Sequence, residues 1–289
     1  MKSSNQNENK TRKLNQNEIK NIEEDMKGFL EYMRGKGWST TKIDGVKFLV
    51  GKDMQGARGT AFERNSQQFV VLREDIINND KMRARALYHE LGHILLGIRN
   101  NNKQSIDKIK ELIVYTREDN SKVLQEESIV YLDGLKLIEE YLVEKFSIGM
   151  LQITKGVQPR VKEYTAPIIF GDYKFESTFG NLYGVFETLC DKLILKAYGY
   201  IGNAIKAGLD NRLYTGLFEK YDKVELMKIL GNFGKIKNAI YSFAGYGKDK
   251  KQYTRPYTPE EAKKLIEDTK VMIDRIQVKG VQQPGNSGR

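Results

Sequence analysis

Cysteine occurs once in this sequence of 289 residues, at position 190, which excludes an internal disulfide framework and fits a reducing compartment. No apolar run approaches the roughly 20 residues needed to cross a bilayer, and no internal repeat is visible. Residues 1–17 are rich in Asn, Lys, Gln and Ser and lack the apolar segment of a secretory signal. These absences predict a cytoplasmic protein with no membrane span. Tryptophan also occurs once, at position 38, where it is expected to pack near a helix end. Charge leans one way: 48 Lys and Arg against 38 Asp and Glu leave a net +10. Such an excess favours an acidic partner, whether a nucleic acid, an anionic surface or an acidic protein, without choosing among them. A solvated Lys-rich surface is the plainer account.

Histidine is the scarcest informative residue, and both copies fall in one stretch, Tyr88-His89-Glu90-Leu91-Gly92-His93-Ile94-Leu95-Leu96-Gly97. Four residues apart on a helix, the two imidazoles share a face and are within reach of one metal ion. Glu90 follows the first histidine, where a carboxylate can hold a water bound to that metal. Zinc chemistry asks for these residue types: neutral imidazole nitrogens, a nearby base and an open coordination position. Ala86, Leu87, Leu91, Ile94 and Leu95 surround the motif and suit a buried helix. Gly92 lowers helix propensity by about 1 kcal/mol against Ala, which points to a neighbouring element coming close. The plain alternative is a core helix with two satisfied histidines and a solvated Glu90.

The remaining chain predicts an α+β fold. Ile19, Ile22, Met26, Phe29, Leu30 and Met33 recur at helical spacing, so a helix is expected from Glu18 to Gly35. Residues 46–50, 58–63 and 68–72 read as strands, with Arg64-Asn65-Ser66 as a hairpin turn. Asn78, Asn79 and Asp80 offer caps for a helix from Lys81 to Leu96 that carries both histidines. Ser105 would cap a short helix through Tyr115, and Ser121 a longer one toward Phe146, with an interruption near Gly134. On that longer helix Tyr131, Leu135, Ile138 and Leu142 share a face, while Glu140 and Glu144 lie together on roughly the opposite one. Two carboxylates so placed are usually just solvated.

Residues 154–181 are rich in Gly, Pro and aromatics and read as a loop with short strands such as Pro167–Phe170. Tyr183–Tyr198 reads as a helix, Val224–Phe243 as one or two helices broken at Gly231 and Gly234. Thr258-Pro259-Glu260-Glu261 starts a last helix running to about Gln277. Lys248, Lys250, Lys251 and Arg255, interleaved with Tyr246, Tyr253 and Tyr257, have the makeup of a single-stranded nucleic-acid surface. No nucleic-acid-binding motif accompanies them, and a polar loop explains them as well.

The His-Glu-Leu-Gly-His run resembles the active-site helix of the zincin metallopeptidases, over about ten residues. The resemblance implies a zincin-like lobe with a small antiparallel sheet, here residues 18–150, followed by a mainly helical lobe at 151–279. A disordered segment at 1–17 and a flexible tail at 280–289 flank them. It implies Zn²⁺ held by His89 and His93, with Glu90 as general base for a metal-activated water. In the gluzincin branch a downstream Glu completes the ligands and an acid four residues later supports a ligand histidine from behind. Carried over, Glu140 is the third ligand and Glu144 the supporting acid, with Glu139 and Glu127 open as alternative ligands. Cys190 and several Asp residues remain less favoured ones. With no third histidine, an all-histidine metzincin site is excluded, and the group facing the oxyanion would be a Tyr or Arg.

The family also binds extended substrates along an edge strand, for which Gly59-Thr60-Ala61-Phe62 is the candidate. The expected activity is peptide-bond hydrolysis, with a protein or peptide as partner. The rival expectation is a non-hydrolytic regulatory protein on the same fold, its basic surface recruiting nucleic acid or an acidic protein.

Overall fold

The computed structural model describes residues 11–52, 54, 57–96, 123–157, 177–243 and 258–279. Among them the chain forms four strands and eight α-helices, an α+β architecture with a helical C-terminal part. None of these helices is long and apolar enough to cross a membrane. The chain divides into two compact units, residues 1–102 with 139–180 and residues 103–138 with 181–289. A single cut near residue 150, as the sequence suggests, does not describe this. The first unit takes up the chain again at Glu139, inside a helix.

The first unit opens with β1 (Thr11–Arg12) and α1 (Gln16–Gly35). Asn15 caps α1 reciprocally: its side chain accepts the Glu18 N–H at 2.9 Å, and the Glu18 carboxylate accepts the Asn15 N–H at 2.8 Å. Arg12 donates to both Glu18 oxygens, at 2.8 Å each. Residues 11–17, expected to be disordered, therefore carry a strand and a helix cap, and α1 starts before Glu18. Phe29 and Met33 are buried on its inner face. Trp38 follows the helix end, edge-on to Tyr32.

β2 (Lys47–Gly51), β3 (Gly59–Arg64) and β4 (Gln67–Arg73) complete a four-stranded sheet of order β1-β2-β4-β3. β3 and β4 form the expected hairpin, with Asn65 and Ser66 both at positive φ (51° and 60°). That pair of conformations is the two-residue turn whose twist matches paired strands. The sheet is mixed rather than antiparallel throughout, because β4 returns between β2 and β3 and runs parallel to β2.

α2 (Asp80–Leu96) packs on β3 and β4. Asn79 caps it, accepting the Met82 N–H at 3.1 Å. α3 (Val123–Lys155) runs without a break past both Gly134 and Phe146. Within the first unit its later part approaches α2 at Gly92, where an added Cβ would lie 3.0 Å from Val143 and 3.3 Å from Phe146. A charge network, buried at Asp25 and Arg83 and open to solvent at Asp80, also joins the helices. Asp25 of α1 meets Arg83 of α2 and Lys155 of α3 at 2.8 Å each, and Asp80 meets both cations at the same distance.

The second unit contains the start of α3, most of α4 (Ser177–Tyr198), and then α5 (Ile201–Leu209), α6 (Leu213–Lys220), α7 (Lys223–Phe243) and α8 (Pro259–Arg275). Leu193, Ile194, Leu226, Ile229, Leu230 and Phe233 are core residues of it. Gly134 and Gly231 do not break their helices. An added Cβ on Gly134 would run into the Leu230 carbonyl, and one on Gly231 would lie 2.9 Å from the Tyr131 ring. These glycines let α3 and α7 close on each other. α8 begins at Pro259 under a Thr258–Glu261 capping box and ends at Arg275, short of Gln277. The helix expected at Ser105–Tyr115, the strand at Pro167–Phe170, the basic-aromatic cluster from Tyr246 to Tyr257 and the tail at 280–289 lie outside the described residues.

Candidate metal centre

His89 and His93 project from one face of α2, as their spacing requires, and meet carboxylates of α3 that also belong to the first unit. His89 Nε2 and His93 Nε2 are 3.1 Å apart, and Glu140 Oε2 lies 3.5 Å from the first and 3.4 Å from the second. These three atoms form a nearly regular triangle. A tetrahedral ion with bonds of about 2.0–2.1 Å spaces its ligand atoms by about 3.3 Å. The donor set and its dimensions therefore suit a metal ion, and this group can hold one.

The other ring nitrogens explain why the lone pairs converge. His93 Nδ1 is 2.9 Å from Glu139 Oε1, and His89 Nδ1 is 3.3 Å from Glu144 Oε2. The Glu139 carboxylate only accepts hydrogen bonds, so His93 Nδ1 carries the proton and its Nε2 turns a lone pair toward His89, whereas Glu144 Oε2 stands beside His89 Nδ1 as a charge and not as a hydrogen-bond partner. Two lone pairs facing at that distance repel unless a cation lies between them.

In the chain itself, protons answer this demand. Burial pulls the pKa of His89 down, but the carboxylates of Glu140 and Glu144 beside its two nitrogens outweigh it and push it up to about 9. For His93 burial likewise opposes, while the charge of Glu140 and the bond to Glu139 hold it well above the imidazole range. Burial would raise Glu140, yet the two histidines keep it well below the usual carboxylate range. Glu140 is the most open member, its side chain 35% exposed against 2% for Glu144. Access to the centre is therefore from its side.

Glu90 is buried one residue past His89 and lines a pocket with Gly59, Met82, Arg85, Ala86 and His89. Gly59, the first residue of β3, presses on it: the three atoms nearest to an added Cβ all belong to Glu90. Among the described residues β3 is an outer strand of the sheet, so the stretch Gly59-Thr60-Ala61-Phe62 lies at an edge there, its first residue next to Glu90. The structure thus gathers His89, Glu90, His93, Glu140 and Glu144. Glu139, considered from sequence only as an alternative ligand, stands behind His93 instead. Glu127 lies on α3, but its side chain is outside the described residues, and Cys190 is buried in the second unit.

Sequence reasoning missed Arg85, which is 1% exposed and donates from Nη2 to Glu144 Oε1. A basic residue one helical turn before His89, set between Ala84 and Ala86, was the available signal. No protein-family model matches the sequence, and comparison with curated proteins and with solved structures returns no match.

Proposed function

We propose that the chain is a zinc-dependent peptidase. The observation that carries the reading is the triangle of His89 Nε2, His93 Nε2 and Glu140 Oε2, sized for a tetrahedral ion, with the Glu90 carboxylate on the next residue. In a tetrahedral site three protein ligands leave a fourth position for water or substrate, the arrangement of catalytic rather than structural zinc. Bound there, zinc would supply Lewis acidity, lowering the pKa of a water toward ~7 and polarising the scissile carbonyl.

The chain's own residues do the rest. Glu90 takes the proton of the attacking water and passes it to the leaving amine. Glu139 holds His93 in the tautomer that leaves Nε2 free to ligate, and Glu144 sets a negative charge beside His89 Nδ1. The outer edge of β3 offers backbone groups with which an extended peptide can pair, bringing its carbonyl toward Glu90. A peptide substrate follows from that edge, since strand pairing recognises a backbone and not one side chain.

The test combines metal analysis with hydrolysis of a denatured protein such as unfolded casein. The wild-type chain is expected to carry one zinc and to cut. Glu90→Gln is expected to keep the zinc and lose at least ~100-fold in rate. Undiminished cutting by Glu90→Gln, or purified wild-type protein that takes up no zinc, overturns the proposal.

A further inference from the structure

Arg85 is the buried cation of the centre, and nothing in the peptidase mechanism uses it. It lies one turn before His89 on α2, so its side chain and the imidazole share a face. Glu144 enters between them from α3. One oxygen of that carboxylate, Oε1, accepts from Arg85 Nη2. The other, Oε2, is 3.3 Å from His89 Nδ1 and 3.4 Å from Ser147 Oγ. Arg85 and Glu144 are each 1% exposed, so water does not stand in for either partner.

We infer that Arg85 is a positioning residue for the metal centre, acting on His89 through Glu144. A carboxylate can turn about its last bond, and its two oxygens are equivalent until something distinguishes them. Arg85 distinguishes them by holding Oε1, which leaves Oε2 as the charged oxygen beside Nδ1, 3.3 Å away. The imidazole is then fixed with Nε2 toward His93 and Glu140. His93 has its own holder in Glu139, 2.9 Å from its Nδ1. The relay from Arg85 thus fixes one histidine of the two. An arginine suits the task better than a lysine, because its planar fork sets a direction as well as a charge.

The inference rests on the metal-site part of the proposed function, and its test separates the two. Zinc affinity of the full chain is measured by competition with a chromophoric chelator, and the cobalt(II)-substituted protein supplies a visible spectrum that reports ligand geometry. Arg85→Met is expected to weaken zinc by about 10–100-fold, the usual effect of losing a group that supports a ligand. It is also expected to shift the cobalt bands. Arg85→Lys is expected to recover part of the loss. In a Glu144→Gln background the same Arg85→Met change is expected to have little further effect, since the relay is already cut.

Should Arg85→Met give no folded chain by circular dichroism, Arg85→Lys takes its place: it keeps the charge but not the planar fork, and is expected to show a smaller loss of zinc affinity with shifted cobalt bands. Wild-type zinc affinity with an unchanged cobalt spectrum overturns the inference. So does a loss that persists undiminished beside Glu144→Gln. A wild-type chain that binds no zinc removes the metal reading and this inference together, whereas zinc-binding wild-type and Arg85→Met proteins that cannot be told apart remove only the role of Arg85.

Discussion

Gly59 and Glu90 are in direct contact: a Cβ on the glycine would lie 2.7 Å from Glu90 Cγ and 2.9 Å from its Oε1. The first residue of an edge strand thus sets the seat of the proposed general base. Gly59→Ala is expected to keep its metal, because the atoms displaced are those of Glu90. Misplacing a reacting group by about 1 Å can cost ~100-fold in rate. Kinetics on the metal-loaded variant, alongside its zinc content, read the two effects separately.

Adjacent carboxylates on α3 have different duties. Glu140 Oε2 faces both Nε2 atoms, whereas Glu139 reaches His93 from the other side, at Nδ1. Glu140→Ala is expected to abolish stoichiometric zinc. Glu139→Gln is expected to retain zinc with an affinity about 10–100-fold lower. Elemental analysis after dialysis, followed by chelator competition, distinguishes them. Full zinc occupancy in Glu140→Ala would show that another residue is the third ligand.

Gly134→Ala is expected to destabilise the second unit. Its methyl would meet the Leu230 carbonyl, and Leu230 C already lies 2.9 Å from that Cβ position. Backbone cannot swing aside as a side-chain tip can, so overpacking costs of about 1–3 kcal/mol or more apply. Urea unfolding should show a lower midpoint, with Gly35→Ala, where nothing lies within 4 Å, as the control.

Acid should loosen the N-terminal cap in a predictable direction. The pKa of Glu18 is lowered chiefly by its bonds with Arg12; burial opposes this and the Asn15 N–H adds to it. A carboxylate with a depressed folded-state pKa stabilises above its unfolded value, about 4.3, and that contribution is lost as pH falls through the folded value. The gap in urea midpoint between wild type and Glu18→Gln is expected to be constant from about pH 6 to 8 and to close below about pH 4. A gap independent of pH would remove the charge from the explanation.

The sequence spoke most clearly where a local rule sufficed. The turn at Asn65-Ser66, the cap at Thr258 and the helix bearing both histidines each follow from a few adjacent residues. It misled where a distant partner decides. Gly134 and Gly231 look like helix breakers, and they are contact points between α3 and α7. Arg85 and Asp25 look like solvated charges until their buried partners are known. The parallel pairing of β2 with β4 has no local signature, since it depends on where the β3–β4 hairpin inserts. Residues 11–17 were legible in part: Asn15 and Glu18 have capping-box spacing, but the Arg12 clamp that fastens them is a tertiary contact.

Gly92, where α3 comes against α2, has a consequence for how the centre can fail. Each residue along a helix advances the azimuth by about 100°, so a slip of α3 by a single residue would carry Glu139, Glu140 and Glu144 off the histidines together. Loosened packing should therefore empty the whole centre at a stroke. Graded weakening of metal binding would point instead to an individual side chain.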